Sequence, residues 1–261
     1  MSRFPESLLL LGAGKMGSAL LAAWHAHGMR KDAITVVDSH ITQDGIINNI
    51  DDVNIAPECI VLAVKPQSMD ELLPELAKKF GDAPLYISIA AGKDIAYFEK
   101  HLGDAAIVRT MPNTPALIGK GITALCANRK TSEAQKAVAT ALLEAAGETV
   151  WLENESLMDA VTAVSGSGPA YIFLLLEALT VAGVAQGLPE AICRKLAMST
   201  VAGSAALAAA SSKEFAQLRS DVTSKGGTTE AALSVLMKDD ALKQLFADAV
   251  AAAVKRGKEL H

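Results

Sequence analysis

The stretch Leu8-Leu9-Leu10-Leu11-Gly12-Ala13-Gly14-Lys15-Met16-Gly17 joins four apolar residues to three glycines in the spacing G-x-G-x-x-G. A short apolar run stopped by glycine reads as a buried strand. Residues 15–27 then read as a helix, with Met16, Leu20, Ala23 and Trp24 on one face and Gly28 as its stop. Strand, glycine loop and helix in this order form a dinucleotide-binding turn. Gly12 allows the tight turn. Gly14 lets backbone approach a pyrophosphate, which sits on the helix N-terminus. Gly17 lets the helix lie close to the strand. A glycine-rich turn that binds nothing can share this spacing; the strand before it and the helix after it favour binding.

The alternation continues outward to residue 153. Ile34-Thr35-Val36-Val37-Asp38, Ile60-Val61-Leu62-Ala63-Val64 and Leu85-Tyr86-Ile87-Ser88-Ile89 read as strands. So do Ile107-Val108-Arg109, Ile122-Thr123-Ala124-Leu125 and Thr149-Val150-Trp151-Leu152. Ser68 with Glu71 predicts a capping box opening one helix, and Ser132 with Gln135 caps an alanine-rich helix ending at Gly147. Strands alternating with helices predict a mostly parallel, doubly wound α/β sheet. After residue 153 the strand signal stops. Residues 154–164, 169–186, 189–211, 214–220 and 228–258 read as helices. The chain thus divides into a Rossmann-like α/β domain, 1–153, and an all-α domain, 154–261. The second is apolar over wide helical arcs, which predicts an obligate homodimer built on it.

Composition narrows the function. The 261 residues carry 24 basic and 29 acidic side chains, a net charge of -5, which argues against nucleic acid as a partner. Hydrophobic residues make up 51%, which excludes a disordered chain. A membrane span needs roughly 18 apolar residues in a row. The longest charge-free runs, 160–176 and 196–212, hold 17 each and are broken by Gly, Pro and Ser or dominated by Ala, so no span is expected. Glu6 and the glycine turn flank Leu8 to Leu11, so no signal peptide is expected either. Cys59, Cys126 and Cys193 are far apart, which fits a reducing cytoplasm, and no histidine has metal-ligand spacing, so no metal site is expected.

Further motifs lie where a doubly wound sheet keeps its crevice. Asp38 falls 21 residues after Gly17, where an acid accepts from ribose hydroxyls and repels a 2′-phosphate, or else caps its own turn. Ala63-Val64-Lys65-Pro66-Gln67 and Ala90-Ala91-Gly92 follow two strands; Lys65 could meet phosphate or ribose, and the small residues admit a flat cofactor. Met111-Pro112-Asn113-Thr114-Pro115 is either a site loop or a rigid turn, and the residues alone leave both open. Ser165-Gly166-Ser167-Gly168-Pro169-Ala170-Tyr171 joins two helices. Val222-Thr223-Ser224-Lys225-Gly226-Gly227-Thr228-Thr229-Glu230 opens the last helix as an anion site suited to a carboxylate, with Thr228 or Thr229 as a further N-cap.

Taken together, GAGKMG, AVKPQ, MPNTP, SGSGPAY and VTSKGGTT, in this order and over nearly the whole chain, resemble the Δ1-pyrroline-5-carboxylate reductase family. The resemblance implies a Rossmann-like domain and a helical domain that interlocks two subunits, with decamers of five dimers in many members. It implies that Leu11, Gly12, Ala13, Gly14, Lys15, Met16, Ala63, Val64, Lys65 and Pro66 hold the dinucleotide and that Ala90 and Ala91 line its nicotinamide side. It places Ser224, Gly227, Thr228 and Thr229 at the substrate carboxylate and imine, with Glu155 near the ring nitrogen and Thr229 as the catalytic hydroxyl. The reaction implied is reduction of pyrroline-5-carboxylate to L-proline by hydride from NADPH or NADH. Two departures stand out. Only 26 residues separate Asp38 from Val64, so the helix usual there is shortened or lost. Asp38 leans to NADH where the family leans to NADPH, which predicts use of both. A related imine or β-hydroxyacid reductase would carry a lysine in 154–186, which has none. A regulatory protein that binds the dinucleotide without turnover would not need the GGTT loop.

Overall fold

The computed structural model describes residues 4–260. By contacts the chain forms two compact units: residues 4–167 with 253–260, and residues 168–252.

The first unit is built on eight strands: β1 (Leu8–Leu11), β2 (Ile34–Val37), β3 (Ile46–Ile47), β4 (Cys59–Leu62), β5 (Leu85–Ser88), β6 (Ala106–Met111), β7 (Gly121–Ala127) and β8 (Gly147–Trp151). Their order is β3-β2-β1-β4-β5-β6-β7-β8, parallel except for β6 with β7. The order turns around at β1, which has β2 on one side and β4 on the other. Helices α1 (Lys15–Ala26), α2 (Met69–Phe80), α3 (Ile95–Leu102) and α4 (Glu133–Glu144) cover it. Leu8 and Leu10 join one core with Leu20, Trp24 and Leu142; Leu9 and Leu11 join another with Leu73, Phe98 and Leu102. A sheet covered on both faces explains why β1 is apolar at every position rather than at alternate ones. Trp24 Nε1 donates to the Leu142 carbonyl at 2.7 Å, so the largest core side chain leaves no polar atom unpaired.

Several expectations change. The strand over 122–125 is longer and antiparallel to β6, because the short turn around Thr114–Ile118 brings the chain straight back instead of crossing over. Between β2 and β4 there is no α-helix among the described residues, only β3 and a single turn at Ile50–Asp52. Ser132 and Gln135 form the expected reciprocal box. Ser68 does not: it stands in helical backbone after a tight Pro66–Ser68 turn, and its side chain caps nothing. Residues 154–164 are not one helix. A turn at Glu155–Leu157 leads into α5 (Met158–Val161) and then a wide π-type turn, Thr162–Gly166, closed by Ser167 N–H on the Thr162 carbonyl at 2.8 Å. The texture changes at 153, but the contacts change at 167, because residues 155–165 are tied to the sheet by Glu155 and Ser165.

The second unit holds α6 (Gly168–Ala185), α7 (Glu190–Ala209), α8 (Phe215–Asp221), α9 (Thr228–Leu236) and the start of α10 (Ala241–Lys258). Pro169 stands in the first turn of α6. The single helix expected over 228–258 is broken at 237–240, where Asp239 and Asp240 take left-handed backbone, which aspartate tolerates better than most residues. Among its described residues only Cys193 and Ala197 are buried. The helical run Glu155–Ala185, where no span is expected from the sequence, holds an 18-residue stretch with a mean hydropathy of 1.7, long and apolar enough to cross a membrane by length and composition.

Candidate active site

The first unit holds a cradle at the turning point of the sheet. Gly12 has φ +94°, and a methyl group there would lie 2.7 Å from the Ala63 carbonyl oxygen. The Ala63 N–H donates to the Leu11 carbonyl at 2.7 Å. The ends of β1 and β4 are therefore backed against each other through glycine. A side chain at Gly17 would strike the Gly12 carbonyl, so α1 reaches its seat only with hydrogen there. Gly14 opens to free space and caps α1 with no side chain. The uncapped N–H groups and dipole of α1 face that opening, as a bound pyrophosphate requires. These residues fit a dinucleotide. Lys15 and Lys65 are both exposed beside it.

Asp38 has a local role. Its Oδ2 accepts the Ala13 N–H at 2.8 Å, and its Oδ1 accepts the His40 N–H at 2.9 Å. The carboxylate caps its own turn and also ties the glycine loop to the end of β2. Any ribose contact must share these oxygens. On the other flank, Ala90 is buried and Ala91 exposed after β5, and Ser88 Oγ accepts the Ala90 N–H at 3.2 Å.

The MPNTP segment resolves to a rigid brace. Asn113 is buried; its Nδ2 donates to the Ser165 carbonyl at 3.1 Å and its Oδ1 accepts the Ile122 N–H at 3.0 Å. Asn113 thus fixes the wide turn that carries SGSGPAY. Glu155, which the resemblance places near the substrate's ring nitrogen, has one carboxylate oxygen engaged within the chain. Its Oε1 accepts from Arg109 Nη1 and from the Ile95 N–H, both at 2.8 Å. Arg109, which the sequence reading passed over, is buried on β6. The signal was there: a cation inside an apolar run at a strand centre requires a carboxylate partner.

In the second unit, Ser224 to Gly227 form a tight turn. Gly226 has φ +74°, as the third residue of such a turn requires, and the Gly227 N–H donates to the Ser224 carbonyl at 3.0 Å. The resemblance places Gly227 at the substrate carboxylate; its N–H is taken within the turn, so it is not free to grip a carboxylate there. Gly227 is the N-cap of α9, so neither Thr228 nor Thr229 is. Glu230 reaches back to the Gly226 N–H at 2.7 Å. Thr228 and Thr229 open α9 with N–H groups that no helical carbonyl can reach.

Comparison with known proteins agrees with this layout. Residues 155–260 match the family described as pyrroline-5-carboxylate reductase dimerisation, and residues 7–92 match NADP oxidoreductase, coenzyme F420-dependent. A pyrroline-5-carboxylate reductase from Synechocystis is 41% identical over 96% of this chain and 97% of its own. The solved structure of a Coxiella burnetii pyrroline-5-carboxylate reductase superposes with a TM-score of 0.91 at 34% identity, covering 98% of each chain. That of a Plasmodium falciparum pyrroline carboxylate reductase with NADP bound gives 0.87 at 29%, covering 97% of each. The chain belongs to the pyrroline-5-carboxylate reductase family.

Proposed function

We propose that this protein reduces Δ1-pyrroline-5-carboxylate to L-proline with NADPH or NADH. The observation that carries this reading is the pairing, in one chain, of a dinucleotide cradle at the sheet's turning point with an open Ser-Lys-Gly-Gly-Thr-Thr turn. The nicotinamide ring, when bound, supplies a hydride to the imine carbon. Gly12, Ala13, Gly14 and the α1 N-terminus hold the pyrophosphate, with Leu11, Lys15, Met16, Gly17 and the Ala63 to Pro66 turn around it. Ala90 and Ala91 form the wall on the nicotinamide side. The N–H groups of Thr228 and Thr229 take the substrate carboxylate, with Ser224 and Gly227 shaping the turn. The Thr229 hydroxyl orients the ring nitrogen as it becomes an amine. A threonine is too weak an acid to be the primary proton source, so the proton comes from water or enters with a protonated imine.

Both cofactors are expected to serve. The negative charge of Asp38 disfavours a 2′-phosphate, yet its two backbone contacts leave it less available to ribose, which weakens the preference for NADH. The working assembly is a homodimer formed through the helical unit, since so little of that unit is covered in one chain; decamers rest on the family resemblance alone. The three cysteines are free and buried, which fits a cytoplasmic setting. The test is to add pyrroline-5-carboxylate to purified protein with NADPH and, separately, NADH. Substrate-dependent oxidation of either is expected. Cofactor binding with no oxidation of either would instead favour a dinucleotide-binding regulator.

A further inference from the structure

Arg109 sits near the middle of the sheet, paired with Ser88 of β5 and Cys126 of β7. Its side chain is 5% exposed. A guanidinium buried this deeply requires a charged, hydrogen-bonded partner. The partner is Glu155, and one carboxylate oxygen does double duty. Oε1 accepts from Arg109 Nη1 and also from the Ile95 N–H. Ile95 is the first residue of α3, whose N-cap, Asp94, accepts the Tyr97 N–H at 2.7 Å. Two acids therefore anchor the first turn of α3, where negative charge suits the helix dipole. Only one of them, Glu155, links that turn to the sheet.

The segment between β5 and α3 is the loop 89–94, which contains Ala90 and Ala91. Its near end is fixed by the Ile89 N–H on the Leu62 carbonyl, 3.2 Å, and the Ala90 N–H on Ser88 Oγ. Its far end is fixed by Glu155 at Ile95. The side of the dinucleotide follows from the strand order. With pyrophosphate on α1 and adenosine toward β2 and Asp38, the other half of the cofactor falls toward β4 and β5.

We infer that Glu155, held by Arg109, is a positioning residue for the nicotinamide-side loop 89–94 and makes no contact with substrate. The location of the ring rests on the reductase reading; the tether does not. Glu155 sets where Ala91 stands by holding the start of α3, and Arg109 sets where Glu155 stands.

The experiment compares NADH with ADP-ribose, which lacks the nicotinamide, by equilibrium titration of the full chain without substrate. In Glu155→Ala, NADH affinity is expected to fall about 10-fold and turnover up to about 100-fold, the scale of a misplaced reacting group. ADP-ribose affinity stays within about twofold, because the adenosine lies toward β2 and the pyrophosphate at the α1 N-terminus, neither of them on the 89–94 loop. Glu155→Gln keeps an oxygen for Ile95 and recovers part of the NADH affinity. Arg109→Lys shows the same loss in milder form, and these two variants carry the comparison if Glu155→Ala does not fold. An equal loss for NADH and ADP-ribose, or a lower melting temperature alone, would overturn the inference in favour of a general structural role. A raised KM for pyrroline-5-carboxylate with NADH affinity unchanged would overturn it in favour of a substrate contact. If wild-type protein binds NADH but oxidises none with substrate, the reductase reading fails; the NADH to ADP-ribose difference still decides the tether.

Discussion

The two units place similar proportions of apolar sequence in opposite situations. In the first, Leu8, Trp24 and Phe98 are fully covered, and both faces of the sheet are packed. In the second, Phe173 is 63% exposed, Leu245 66% and Phe215 78%, and nothing larger than Cys193 is buried. The first unit completes its core within the chain. The second has the helices of a core and lacks the other half. A helix apolar on all sides belongs in an interior, and in the reading proposed above a second copy supplies it.

The sharpest way to break this contrast is to charge the uncovered side. Phe173→Glu is expected to abolish the dimer and with it activity, read by solution mass and turnover; a fully active monomer would remove the contrast altogether. In the first unit the comparable injury is Gly12→Ala. A methyl in left-handed backbone against the Ala63 carbonyl is expected to cost about 1–3 kcal/mol of stability, and dinucleotide binding should be lost in titration while the protein remains dimeric. Thr229→Ala touches neither core. Turnover should drop about 100-fold, the lower end for loss of a group that assists proton transfer, with the melting temperature unchanged; unaltered turnover would remove Thr229 from the site. Smallest is Asp38→Asn. One charge removed beside a phosphate in water is worth about 1 kcal/mol at 4 Å, so the kcat/KM ratio of NADPH to NADH should rise about fivefold, while both cofactors weaken slightly as the tie to Ala13 loosens.

What could be read from sequence was local. The leucine run, the glycine spacing and the Ser132 box each depend on residues within a turn or two of one another, and each has its expected form. Several of the departures depend on partners distant along the chain. Nothing near Gly121 says that β7 runs antiparallel to β6; the tight turn at 114–118 decides it. Asp38 pairs with Ala13 across 25 residues, and Asn113 with Ser165 across 52. Glu155 was placed by resemblance at a substrate, and only the fold brings Arg109 and Ile95 to its carboxylate. The GGTT loop was legible as an anion site, but the internal turn that takes the Gly227 proton was not.

The return of residues 253–260 to the first unit has a consequence for biosynthesis. A side chain at Gly92 would lie 3.0 Å from the Leu260 carbonyl oxygen, and one at Gly257 would lie 3.2 Å from the Asp159 carboxylate. The residues that back the 89–94 loop are thus translated only after all of 168–252. A nascent chain halted at residue 167 has every strand of its sheet and both ends of that loop fixed, but lacks Leu260 beside Gly92. The contact of Leu260 with Gly92 and the whole of the helical unit therefore emerge from the ribosome together.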